Sequence, residues 1–95
     1  MNPVIIPLVR RAILDLMFDI GGEQNHVVLA MLLTELGHRV AESEVQAQLA
    51  WLAQHELVKT EELGPYTVAR LIANGRDVAN GRWDFDGVSK FKTGE

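Results

Sequence analysis

Glycine divides this chain into segments too short for anything but compact helices and a hairpin. The breaks fall at Gly21-Gly22, Gly37, Gly64 and Gly81, with Pro65 beside the third. Glycine alone takes positive φ freely, so each is a natural stop for the element before it. From Pro3 to Phe18 and on to Ile20, the apolar residues Ile5, Ile6, Val9, Ala12, Ile13, Leu16 and Met17 recur at three and four, which predicts a first helix with Pro7 in its first turn. Its polar stripe is narrow, consisting of Arg10, Arg11, Asp15 and Asp19, and Leu8, Leu14 and Phe18 widen the apolar arc. Either the helix is central to the domain or part of that arc meets a second subunit.

A second helix is expected from His26 to about Leu36, with Asn25 as its N-cap and Gly37 as its stop. The short linker Gly37-His38-Arg39-Val40 forces a sharp change of direction, a helix-turn-helix outline. The third helix should span Ala41 to His55. Helical geometry puts Leu49, Leu52 and Glu56 beside Val45, and Ser43, Ala47, Ala50 and Gln54 on the opposite face, with Trp51 sealing the edge of the core. The period then becomes strand-like in Leu57–Glu61 and Tyr66–Leu71, a hairpin around Glu62-Leu63-Gly64-Pro65. A short helix follows from Ile72 to Asn80, with Gly75 as a weak point inside it. Residues 1–82 are read as the domain. Residues 83–95 are read as a C-terminal arm or tail carrying Trp83, Phe85, Val88 and Phe91.

Composition narrows the class. Ninety-five residues with 47% hydrophobic and 23% charged side chains make one small folded domain. No cysteine is present, which removes disulfide scaffolds, thiol nucleophiles and thiolate zinc sites. No apolar run reaches the roughly 20 residues that cross a bilayer, and Arg10-Arg11 follow the N-terminal apolar run where a secretion signal would have cations first. The expectation is therefore a cytoplasmic protein, without export. His26, His38 and His55 are read as surface or capping histidines at helix ends. Asp84-Phe85-Asp86-Gly87 begins like a calcium loop but has Val88 at the fifth position and Ser89 at the sixth, where glycine is needed. No nucleophile elbow or phosphate loop occurs, so the reading is of a protein that is not an enzyme and uses no cofactor or metal.

Helix, helix, short turn, helix and hairpin is the order of a winged-helix domain. The stretches LAWLAQHELV at Leu49–Val58 and GRDVANGR at Gly75–Arg82, followed by Gly87-Val88, resemble a family of small winged-helix proteins of Mu-like phages and prophages. The resemblance implies a mainly α fold with a small β-hairpin (α+β): a winged helix-turn-helix with a three-helix core, a two-stranded wing and a short C-terminal helix. It also implies DNA binding in phage gene control. The chain departs from the expected capping pattern at Ala41 and Ile72, where Ser or Thr would cap the third and last helices.

For double-stranded DNA, the candidate base contacts are Ser43, Gln46, Ala47 and Gln54, and the candidate phosphate contacts are Arg39, Lys59, Arg70 and Arg82. Charge argues the other way. The net charge is -4, and Asp19 to Glu56 holds six acids against the one arginine, Arg39. The competing reading is a non-catalytic module that binds a phage or host protein, favoured by that acidic half, by the small neutral face of the third helix and by the broad apolar arc of the first. Either reading accommodates a homodimer.

Overall fold

The computed structural model describes residues 1–90. Four helices and three strands follow in the order α1 (Ile6–Ile20), β1 (Glu23–Asn25), α2 (His26–Glu35), α3 (Glu42–Gln54), β2 (Val58–Leu63), β3 (Tyr66–Leu71) and α4 (Ala73–Ala79). The strands form one antiparallel sheet in the order β1-β3-β2. The fold is α+β; the expected hairpin is present as β2 and β3, and β1 adds a third strand that the sequence did not show. β1 escapes sequence reading because three residues, Glu23-Gln24-Asn25, offer no alternation to detect. They become a strand only because β3 lies alongside, with Glu23 opposite Arg70 and Asn25 opposite Val68.

The helix ends obey local chemistry. α1 carries Pro7 in its first turn, where the missing N–H has no helical acceptor to lose, and Gly21 N–H closes it on Met17 O at 2.9 Å. Asn25 ends β1 and also caps α2, its Oδ1 accepting from Val28 N–H at 2.9 Å. α2, α3 and α4 all end in the same paired closure, in which the second residue beyond the cap donates back to the third-last carbonyl of the helix: His38 to Leu33 at 2.8 Å, Leu57 to Leu52 at 3.0 Å and Arg82 to Asp77 at 2.9 Å. After α3 the left-handed residue in that closure is Glu56, at φ 61°. It therefore turns out to solvent, and not beside Val45 as helical extrapolation suggested.

The hairpin turn is tighter than expected. β2 runs on to Leu63 and pairs with Tyr66, leaving only Gly64-Pro65 at the tip. A positive φ of 60° at Gly64 followed by proline suits a two-residue II′ turn and excludes I′, which needs positive φ at both positions.

The core is built where the periodicity placed it. Val9, Ile13, Leu14 and Met17 of α1 meet Leu29 and Leu33 of α2 and Val45, Leu49 and Leu52 of α3, with Val58, Ala69 and Leu71 closing the sheet side and Val78 the α4 side. Leu14 is wholly buried, whereas Leu8 and Phe18 are half exposed. Arg11, expected on a solvated stripe, is buried: its guanidinium donates to Val78 O at 2.7 Å and Ala79 O at 2.8 Å and so caps α4.

Residues 83–90 lie on the body of the domain. Arg10 stacks over the Trp51 ring at 3.6 Å, donates to Gln48 Oε1 at 2.8 Å and to Gly87 O at 3.0 Å. Phe85 meets Trp51 edge-on at 6.0 Å, Val88 is buried, and Ser89 N–H bonds Pro7 O at 3.1 Å. Trp51 thus seals the core edge, as read. Trp83 is half exposed against Phe85; Phe91 lies outside the described residues.

Ala41 brings no capping side chain to α3, and half of a capping box stands in for it: Glu44 Oε1 accepts from Ala41 N–H at 2.9 Å. That bond, and next the N-terminal ammonium 2.9 Å away, holds the Glu44 carboxyl below its ordinary range. A folded pKa below the unfolded value of about 4.3 means that the stabilisation is fully present above that pH and is lost as pH falls through the folded value. Glu44→Gln is expected to destabilise the domain near neutrality and to differ less from the parent as pH falls. Urea melts of both proteins across the acid range measure this, and a constant difference at every pH would contradict it.

Candidate nucleic-acid interface

Ser43, Ala47 and Gln54 share one exposed face of α3, four and seven residues apart, with Ala50 between them. Gln46 stands about 60° round the helix. Its side-chain amide donates to Thr67 Oγ1 on β3 at 3.2 Å. Thr67 is buried; its hydroxyl donates to the Glu62 carboxylate at 2.9 Å, and its N–H donates to His26 Nδ1 at 3.1 Å. This network ties α2, α3 and both hairpin strands together. His26 is therefore a buried member of it, not a surface histidine, and an Nδ1 that accepts leaves the ring proton on Nε2. The spacing of one His, one Gln and one Thr over more than forty residues carried no sequence signal.

Of the four candidate phosphate contacts, the fold brings two together. Lys59 and Arg70 are direct cross-strand partners, so their side chains rise from the same sheet face, and both are exposed. Glu23 flanks Arg70 on its other side, completing a row of two cations and one acid across the sheet. Arg76, not singled out by the sequence, donates to Leu71 O at 3.3 Å and joins Arg70 around a depression lined also by Phe18, Gly21 and Gly22. Arg39 sits exposed in the α2–α3 turn and Arg82 exposed beyond α4; neither lines the depressions that Arg70 lines.

The acids keep their weight. Glu42 is exposed at the start of α3, beside Glu44, where the positive end of the helix dipole would otherwise favour a phosphate. His38 is half buried in the α2–α3 turn, and His55 caps the end of α3 with its ring 4.2 Å from that of Trp51. Among the described residues, no group of three or more His, Asp or Glu is placed to hold a metal ion, and no helix is long and apolar enough to cross a membrane.

These features define a small α+β protein, four helices against a three-stranded antiparallel sheet, whose exposed polar surface is split between an acidic helical half and a mixed-charge sheet face. It is 35% identical over 89 residues to the uncharacterized protein gp26 of Escherichia phage Mu, a match covering 94% of this chain and 93% of the phage protein. The chain belongs to the family of that phage protein. No family model matches the sequence, and no solved structure matches the chain.

Proposed function

We propose that this is a winged-helix protein that binds double-stranded DNA in phage gene control, with α3 as the helix that reads bases and the β2–β3 hairpin as the wing. The order α1-β1-α2-α3-β2-β3 with β1 beside β3 supports the fold assignment. The observation that carries the function is the Gln46–Thr67 bond, which locks the flank of α3 to the hairpin that bears Lys59 and Arg70. A base-reading face of Ser43, Ala47 and Gln54 and a phosphate-holding pair are thereby held on one rigid unit. Gln46 acts by setting the angle between helix and wing.

A protein-binding role has one specific observation in its favour: exposed Glu42 stands at the start of α3, where phosphates would approach. Titrating the protein into labelled duplexes at about 50 and 200 mM salt separates the two readings. The DNA reading expects saturable binding that weakens steeply with salt. Reversing Lys59 and Arg70 to glutamate should then weaken binding at least tenfold and lower the salt slope by about 2, one for each lost phosphate contact. Absence of binding at the lower salt overturns the DNA reading. Unchanged affinity in the double variant removes the wing from it.

A further inference from the structure

Along the outer side of α1 runs an open groove of about 530 Å³. Its floor is Leu8, Ala12 and Leu16, spaced by four residues and so aligned on one stripe, and Leu36 rises on its rim. Leu8 is 44% exposed and Leu36 is 59% exposed, while Ala12 and Leu16 between them also pack against the core. The two ends of the groove differ in charge. Asp19 lies one turn beyond Leu16, whereas Lys90 is held near the start of the helix, because the neighbouring Ser89 bonds Pro7 O at 3.1 Å and accepts from Arg11 at 3.3 Å.

That pattern is self-complementary. Turned end for end about an axis through Ala12, the stripe maps Leu8 onto Leu16 and the basic end onto the acidic end. A parallel copy would instead set like charges together. Ala12, the smallest side chain of the stripe, falls where the two helices would cross and lets them approach closely. We infer that this groove is the meeting surface of two copies of the chain, α1 against α1 in antiparallel, with Lys90 of each copy facing Asp19 of the other. No residue of α3 or of the hairpin lines this groove.

Sedimentation of the full chain tests this. The parent is expected to be a dimer and Ala12→Arg a monomer. Asp19→Lys and Lys90→Asp are each expected to weaken the dimer about tenfold, and the two together to restore it, as charge pairs across an interface do. Because the chain has no cysteine, Ala12→Cys places a single thiol on the axis, and mild oxidation should give a covalent dimer, whereas Thr60→Cys on the sheet should not. A monomeric parent overturns the inference, as does a dimer indifferent to Ala12→Arg or a double charge swap no tighter than the single changes. Circular dichroism checks each variant's fold. Should Ala12→Arg fail to fold, the swaps at surface residues Asp19 and Lys90 carry the test alone.

Discussion

Gly75→Ala is expected to cost the domain about 3 kcal/mol or more, against the usual sign of this substitution. In a helix interior, alanine is ordinarily better than glycine by about 1 kcal/mol. At Gly75 the added Cβ would sit 1.9 Å from Leu57 O, 2.9 Å from Leu57 C and 2.9 Å from Leu71 Cδ2. Two of those atoms are backbone and cannot rotate away. Leu57 O also accepts from Ile72 N–H at 3.4 Å, so pushing it aside loosens the entry to α4 as well. Glycine is there to let the helix touch the chain that leaves α3. For a domain of this size, a loss of 3 kcal/mol lowers Tm by roughly 12–24 °C, easily read in a thermal melt. A melting temperature equal to or above that of the parent would show that α4 can shift without penalty.

The second large effect is expected at Arg11. Its guanidinium reaches the Val78 and Ala79 carbonyls, the Ser89 carbonyl at 3.3 Å and the Asp15 carboxylate at 3.1 Å, while only 8% of the residue is exposed. α4 has seven residues, too few to stand without tertiary help, and this side chain closes its end. Arg11→Met keeps an unbranched stem of similar length but removes the donor to three carbonyls and a half-buried carboxylate; among the described residues, Val78 O alone keeps a second partner, the Gly81 N–H at 3.2 Å. The expected loss is about 2–4 kcal/mol, set by buried carbonyls left short of a donor at about 1–3 kcal/mol each.

The pH dependence identifies the cause. Burial already pushes the Asp15 carboxyl above its ordinary range, with Arg11 pulling it back down. Without Arg11 it rises further. A carboxyl whose folded pKa is raised costs nothing while protonated and opposes folding as pH climbs through the unfolded value towards the folded one. The deficit of Arg11→Met should therefore be largest near neutrality and should narrow in acid, and adding Asp15→Asn should recover part of it at neutral pH. Urea unfolding at both pH extremes measures this. A deficit independent of pH, with no recovery in the double variant, would place the whole effect in the lost caps of α4.

Arg10 and Arg11 show where reading a sequence succeeds and stops. Adjacent and chemically identical, they were expected on one solvated stripe. They point 100° apart on the helix, so one stacks on Trp51 and the other threads beneath α4. The candidate site divides in the same way. The exposed face of Ser43, Ala47 and Gln54 follows from helical geometry. The engagement of Gln46 with Thr67, 21 residues away, does not.

What the sequence determined alone is what a few neighbouring residues decide: the stop of α1 at Gly21, the Asn25 cap, the closure at Gly37, the turn at Gly64-Pro65 and the apolar face of α3. In each, the capping or turn-forming group lies within about five residues of what it satisfies, so composition and spacing carry the information. Tertiary structure decided the rest. β1 is a strand only because β3 lies beside it, His26 is buried only because the hairpin covers it, and residues 83–90 are ordered by two arginines more than 70 positions earlier. Polar groups buried by folding take whatever partner the packing brings, and that partner is not encoded in the local pattern of either residue.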